Sequence, residues 1–241
     1  MISQIGLRLL AAPKGESMNI FEVIGPVMIG PSSSHTAGAV RIGYSARKLL
    51  GETPRHAEIL LHGSFAATGA GHGTDKAIVA GLLGMKPDDP RIPISFEVAK
   101  ELQLEFVISK TQLKDVHPNT ALIRVAGGSG RRLEIVSSSL GGGRIMIRQI
   151  DGLDANFTGD YPTLIVHNLD QPGHVAEVTS MLSHKSVNIA TMQLYRDTRG
   201  GYAVMVIETD QPIPKESLIW LKKLEGVIKV TYINLDEEES E

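Results

Sequence analysis

The stretch TLIVHNLDQPGHVAEV, residues 163–178, joins a short apolar run to a turn and then to an amphipathic pattern. TLIVHNL reads as a strand. DQPG turns the chain, with Pro172 tolerated in a first helical turn, and the helix that follows places Val175, Val178, Met181 and Leu182 on one face. Further along, VNIATMQLY (187–195) is β-rich. RDTRGG is a hairpin turn in which Gly200 and Gly201 are free to take positive φ, and YAVMVIET (202–209) returns as a strand. PKESLIWLKKLEG gives a second helix that presents Leu218, Leu221 and Leu224, with Gly226 where a C-cap belongs. VIKVTYINL (227–235) alternates as a final strand. The order βαββαβ is a split βαβ sandwich with its helices on one face.

Upstream, DGLDANFTGDY (151–161) is a polar, glycine-containing joint. Before it the structure is mixed. A helix runs from about Thr36 to Leu50, with Ala39, Ile42, Ala46 and Leu49 at helical spacing. AEILLHG is a strand ending at His62 and Gly63, and DKAIVAGLLG is a helix burying Ile78, Leu82 and Leu83. LEFVIS, ALIRVAG, RRLEIVSSS and RIMIRQI read as strands. Helices among strands of mixed direction make this part α+β. No GxGxxG follows a strand and no P-loop is present, so no nucleotide fingerprint is matched. The expected organisation is a disordered extension over 1–17, a first domain over 18–150, a linker over 151–160, a second domain over 161–235 and an acidic tail, DEEESE, over 236–241, whose like charges have no means of packing.

The chain has 241 residues, 42% apolar and 21% charged, with a formal charge of -3. That composition is that of an ordinary soluble globular protein. No apolar run reaches the roughly 18 residues of a membrane helix. The near-neutral balance argues against nucleic acid as a partner. There is no cysteine, hence no disulfide framework and no thiolate for zinc or an iron–sulfur cluster. MISQIGLRLLAAPKGES is too weak for a secretory signal, and a cytoplasmic location is the default expectation.

Four polar segments stand out. Ser32, Ser33, Ser34, His35 and Thr36 precede a helix, where backbone amides and hydroxyls suit a carboxylate or phosphate. Simple N-capping needs one serine, not three. LHGSFAATGAGHGTDKA (61–77) holds His62, Ser64, Thr68, His72, Thr74, Asp75 and Lys76 among glycines that let a backbone approach a ligand closely. Its His-Gly-Thr-Asp-Lys run supplies a proton-transfer group, a hydroxyl, an anion and a cation; the plainer account is a capped helix start with Lys76 in solvent. VHPNT (116–120) puts His117 before a proline, in an extended or turn conformation. VSSSLGGG (136–143) ends a strand in serines and three glycines, suiting a flexible loop or an anion cradle of consecutive amides.

The βαββαβ pattern with NLDQPGHVAEV at its first turn resembles an ACT domain, a ferredoxin-like module. The resemblance implies amino-acid binding or dimerisation, with a ligand loop over 168–175 carrying Asn168, Asp170, Gly173, His174 and Val175. There Asp170 can cap the helix, amides near Gly173 can hold a carboxylate, and His174 is a packing or surface residue rather than a ligand. GPSSSHTAGAVRIG (30–43), LHGSFAATGAGHGTDKA, VHPNT and SSSLGGG, in that order, resemble the β part of the iron–sulfur type of bacterial L-serine dehydratase over roughly 21–149. In that family a [4Fe–4S] cluster is held by cysteines of an α part, and one iron works as a Lewis acid on the substrate hydroxyl.

This cysteine-free chain is therefore expected to be the β subunit, inactive without an α subunit that carries the cluster, with none of its own side chains ligating a metal. The implied reaction is L-serine to pyruvate and ammonia. His72, then His35, then His117 are the candidate proton carriers, because imidazole titrates near neutrality, with Asp75 and Lys76 orienting them. Ser32, Ser33 and Ser34 with nearby amides would hold the carboxylate, and Thr36, Ser64, Thr68, Gly73, Thr74 and Asn119 complete the substrate surroundings. Homodimerisation through the ACT-like part is expected from its open sheet edges. Two other readings compete. One is a non-catalytic sensor resembling the substrate-binding plus ACT part of some phosphoglycerate dehydrogenases. The other is a self-contained metal-dependent lyase or hydrolase using His35, His62, His72 and His117, which no H-E-x-x-H or paired-carboxylate spacing supports.

Overall fold

The computed structural model describes residues 27–235. The expected extension over 1–17 and the acidic tail over 236–241 lie outside the described residues. A π-helical turn, Ser33–Gly38, runs directly into α1 (Ala39–Leu50). β1 (Pro54–His62) is followed by α2 (Gly63–His72), α3 (Thr74–Leu82), a 3-10 turn at Ile92–Ile94, α4 (Ser95–Glu101) and β2 (Glu105–Thr111). Four strands complete the first sheet: β3 (Thr120–Gly127), β4 (Arg132–Gly141), β5 (Arg144–Ile150) and β6 (Leu153–Phe157). Their order in space is β2-β1-β3-β4-β5-β6. β1 and β2 are parallel and every other pair is antiparallel, as the helical crossover between β1 and β2 requires.

The second unit follows as β7 (Thr163–Leu169), α5 (His174–His184), β8 (Ile189–Arg196), β9 (Tyr202–Thr209), α6 (Lys215–Leu221) and β10 (Val227–Ile233). Its antiparallel sheet has the order β10-β7-β9-β8. No helix among the described residues is long and apolar enough to cross a membrane.

One face of the first sheet, with Ala57, Ile59, Ile123, Val125, Leu133 and Ile135, packs in a core shared with α1 and α3. The opposite face carries a cross-strand ladder, Glu58–Arg124–Glu134, with ion pairs of 2.9 and 2.6 Å. α1 and α3 approach backbone to backbone. A Cβ on Gly43 would stand 2.1 Å from the Ile78 carbonyl oxygen, and one on Gly81 2.1 Å from that of Val40. Only glycine permits that distance.

The two sheets share one core. On β7, Leu164 and Val166 face α5 and α6 with Met205, Ile207, Val178 and Leu182. The alternate residue Ile165, with Val204, Val206 and Ile233, belongs to the first unit's core, where α1 meets β10 and β6 meets β8 and β9. Burial on both faces explains why TLIVHNL reads as a continuous apolar run rather than an alternating one. The close contact with α3 explains why α1 is buried well beyond the four positions the spacing marks, at Val40, Gly43 and Tyr44 as well.

One expectation needs correction. The joint contains a strand: Leu153, Ala155 and Phe157 alternate into the core, and β6 pairs with β5 through Ile147–Phe157 and Ile150–Leu153. Interleaved Asp154 and Asn156 gave that period-two pattern a polar, loop-like composition, yet Asn156 is occupied by Tyr195 and Gln193 of β8. The glycine-rich stretch after His62 forms helix α2, tertiary placement overriding its poor helix propensity. Ser137, Ser138 and Ser139 lie inside β4 and are fully buried.

Between the sheets, His167 is 1% exposed and touches the Tyr202 hydroxyl through Nδ1. Burial, and then the nearby Lys229 charge, push its pKa from 6.5 to about 4, against the opposing pull of Asp151.

Two outcomes follow from this packing. Gly81→Ala is expected to lower stability by about 1–3 kcal/mol, roughly 2–12 °C in melting temperature; an unchanged melting curve would contradict the helix contact. For His167 the unfolded chain takes up a proton near pH 6.5 and the folded chain only near pH 4. Its contribution is therefore present above pH 6.5 and lost as pH falls towards 4, about 3 kcal/mol in all. His167→Gln should flatten the denaturant-midpoint profile across that window relative to the parent chain.

Candidate active site

The polar segments converge on His35. Its Nδ1 lies 3.0 Å from Ser34 Oγ and 3.5 Å from Ser32 Oγ, and its Nε2 lies 3.1 Å from Ser64 Oγ on α2. The ring stands edge-on to Phe65 at 5.2 Å and 5.3 Å from the ring of His72. Desolvation is the main cause that lowers the His35 pKa. The His72 charge adds to it, and hydrogen bonding at Ser64 offsets it in part. His35 is thus neutral at physiological pH, with a hydroxyl on each ring nitrogen. His72 ends α2 with its side chain exposed.

The three serines have three different tasks. Ser32 caps the π turn, its Oγ accepting from the His35 amide at 3.1 Å. Ser34 contacts the imidazole. Ser33 Oγ accepts from the Gly142 amide at 3.2 Å, tying the β4–β5 turn to the helix start. One cap does suffice here, and the other two hydroxyls serve other partners. The amides of Ser33 and Ser34 open the turn with no acceptor inside the helix.

The VHPNT segment sits beneath Ser64. The Ser64 amide donates to the Pro118 carbonyl at 2.9 Å. Gly63, at φ +55, could not carry a Cβ, which would stand 2.5 Å from that carbonyl oxygen. His117 Nδ1 accepts from the Asn119 amide at 3.1 Å, which leaves its proton on Nε2. The Asn119 carbonyl accepts from the Ser139 amide at 2.8 Å, and Thr120 Oγ1 lies 2.8 Å from Ser138 Oγ. β1, α2, the 117–120 loop, β4 and the π turn are therefore one connected polar assembly. Thr36 Oγ1, Thr74 Oγ1 and Ser139 Oγ are buried without hydrogen-bond partners, and each such hydroxyl costs about 1–3 kcal/mol.

Other expected residues are placed elsewhere. Lys76 is turned away from the histidines: its Nζ donates to the Pro93 carbonyl at 2.7 Å, near the Phe96 ring. Asp75 accepts from the Lys76 amide at 2.8 Å. Orienting the histidines is a task neither performs, because α3 begins at Thr74 and points both side chains along its own first turn and towards the 3-10 segment. Thr68 Oγ1 is bound to the Ser64 carbonyl within α2. Gly73, at φ +69, links α2 to α3. His62 Nδ1 accepts from the Leu113 amide, so it does not join the His35–His72 pair, and His117 is engaged with the Asn119 amide. Among the described residues no group of three or more His, Asp or Glu is placed to hold a metal. An open groove of about 620 Å³ on the outer sheet face, near Val107 and Arg124, carries none of the candidate residues. What sequence reasoning missed is the part played by Pro118, Ser139 and Gly142 in fixing the assembly; the serine and glycine run of VSSSLGGG was the available signal.

In the second unit Asp170 does not cap α5. Its carboxylate accepts from Gly200 N at 3.0 Å and Arg196 Nη1 at 2.9 Å. The Gly200 amide first, and then Arg196, hold its pKa below the usual carboxylate range. Gly173 takes the cap position without a side-chain bond, and Val175 is exposed. Asn168 and His174 are buried. Asn168 Nδ2 donates to the Leu169 carbonyl, but its Oδ1 and both His174 ring nitrogens lack hydrogen bonds. Glu177 Oε2 lies 3.4 Å from His174 Nδ1 without hydrogen-bond geometry.

Residues 18–101 match the serine dehydratase beta chain family and residues 162–218 the ACT domain family. The chain is 41% identical over 215 residues to the "Probable L-serine dehydratase, beta chain" of Bacillus subtilis, covering 89% of this chain and 97% of that one. It is 40% identical over 194 residues to the L-serine dehydratase beta chain of Peptoniphilus asaccharolyticus, covering 80% and 87%. A D-3-phosphoglycerate dehydrogenase of Methanocaldococcus jannaschii matches at 26% over 138 residues, 57% of this chain and 26% of its own.

The coupling of the two imidazoles is open to direct measurement. His72→Ala should raise the His35 pKa, though not to the ordinary value because desolvation remains; NMR titration of the His35 ring would read it. An unmoved pKa would mean that the rings do not sense each other.

Proposed function

The chain belongs to the serine dehydratase beta-chain family, and from that membership we propose that it is the β subunit of a two-chain L-serine dehydratase, converting L-serine to pyruvate and ammonia once joined to a cysteine-bearing α subunit. The observation that carries this reading is the meeting of two separate polar segments on one neutral histidine, His35, with the other two segments tied to its neighbours Ser33 and Ser64. A [4Fe–4S] cluster does not fit this chain's residues, which offer no thiolate and, among those described, no grouping of His, Asp or Glu able to hold a metal. We assign the cluster to the α subunit, and departure of the substrate hydroxyl belongs to that side of the pocket.

The tasks left to this chain are binding and proton transfer. The amides of Ser33 and Ser34, at the positive end of the helix formed by the π turn and α1, suit the serine carboxylate. His35, kept neutral by burial and by His72, accepts the Cα proton through whichever of the Ser34 and Ser64 hydroxyls donates to its unprotonated nitrogen, that hydroxyl giving its own proton to the ring as it takes the one from Cα. The hydroxyls of Ser34 and Ser64 fix its ring plane and rotate to accept from the imidazolium. His72, exposed beside it, exchanges the proton with solvent. Loss of the hydroxyl leaves aminoacrylate, which tautomerises and is hydrolysed to pyruvate and ammonium. His35 therefore stands ahead of His72 as the base, and His117 behind both.

The unpartnered polar atoms of Asn168 and His174 favour one additional role, an amino-acid effector taken by the 168–175 loop; pairing of two chains rests instead on the outer strands β10 and β8 of that sheet. A purely sensing chain is disfavoured, because the match to dehydratase beta chains extends over nearly their whole length.

Mixed anaerobically with its α partner, the chain should yield serine-dependent pyruvate, and neither chain should do so alone. His35→Ala should lower turnover by about two orders of magnitude or more. Full activity of this chain by itself would overturn the subunit assignment, and near-normal turnover of the variant would remove His35 from the chemistry.

A further inference from the structure

A continuous line of polar contacts runs from the serine cluster to the second sheet. Gly142 N donates to Ser33 Oγ at 3.2 Å. The adjacent Gly143 carbonyl accepts from Arg41 Nη1 on α1 at 3.2 Å, and Arg41 Nη2 donates to Asp160 Oδ1 at 2.9 Å. The Asp160 amide donates to Thr158 Oγ1 at 3.2 Å, and the amide and hydroxyl of Thr158 both donate to Glu208 Oε1 at 3.4 Å. Glu208, on β9, is 6% exposed. Its other oxygen accepts from Thr191 Oγ1 on the edge strand β8 at 2.7 Å.

The turn at the site end of this line has little rigidity of its own. Gly141, Gly142 and Gly143 all have positive φ, at 90, 61 and 79 degrees, and three glycines in sequence allow many backbone states. Beyond the hairpin's own pairing, Ser33 and Arg41 are the contacts that select one of them. Arg41 suits the task because one planar guanidinium presents two donors in fixed relation. One of them goes to the turn and the other to the segment that enters β7.

We propose that Arg41 is a positioning residue: it holds the Gly141–Gly143 turn against Ser33, so that the shape of the serine cluster depends on where the second sheet holds Asp160. For its effect on substrate, the inference rests on the functional reading above. Arg41 reaches neither His35 nor a reacting atom; it acts through the turn.

In the reconstituted two-chain enzyme, Arg41→Gln and Asp160→Asn should each raise KM for L-serine by roughly three- to thirtyfold, with much smaller changes in kcat. The double variant should be no worse than Arg41→Gln alone, since both break one line. Arg41→Lys, which keeps the charge but cannot present the paired donors, should recover only part of the loss. A second readout needs no activity: hydrogen exchange at the Gly142 and Arg144 amides should accelerate in both single variants, while β1 and β3 keep their protection. Additive losses in the double variant, or unchanged exchange at the turn, would overturn the proposal. If the unaltered pair of chains made no pyruvate, the functional reading would fail, and the exchange measurement would still decide whether Arg41 holds the turn.

Discussion

The approach of α1 and α3 at Gly43 and Gly81 sets the geometry on which the candidate site rests. A side chain at either position would meet a main-chain oxygen, and main chain cannot swing aside as a rotamer can. The contact fixes the spacing between two helices whose leading ends carry the chemistry: His35 lies in the turn that becomes α1, and His72 lies just ahead of α3. Ridges of larger residues would hold two helices about 8–10 Å apart or more, and the two imidazoles would part with them. The helix pair also roofs the first sheet, so the same two glycines serve the core and the site.

The site is built by sharing out similar groups. Three adjacent serines cap a helix, pin a hairpin and touch an imidazole. Two histidines 5.3 Å apart have unlike surroundings, one half-buried among hydroxyls and the other exposed. Burial first, and then the His72 charge, lower the pKa of His35. Buried hydroxyls on Thr36, Thr74 and Ser139 remain without partners.

Much of the fold is legible in the sequence, because its strongest signals are local. The βαββαβ order follows from apolar runs punctuated by Gly and Pro, and the strands of the first sheet from runs such as ALIRVAG. What is not legible depends on neighbours distant in sequence. Asp154 and Asn156 make β6 look like a loop, although Ala155 and Phe157 between them are fully buried. Asp170 looks like a cap until the hairpin carrying Arg196 and Gly200 folds over it. The site's members are legible as a set, since so many hydroxyls and imidazoles at chain turns lack a packing purpose. Their partners are not: nothing local to HGTDK says that Lys76 reaches Pro93, or that Ser64 rests on Pro118.

The interior common to both sheets bears on how such a chain could have been assembled. A regulatory unit with one wetted face can be recombined between genes as an independent cassette. Here that second face, with Ile165, Val204 and Val206, is dry and fitted to α1 and β6. Grafting in a foreign unit would require those surfaces to match at the first attempt, so descent should have kept the two halves together, diverging in step rather than by exchange.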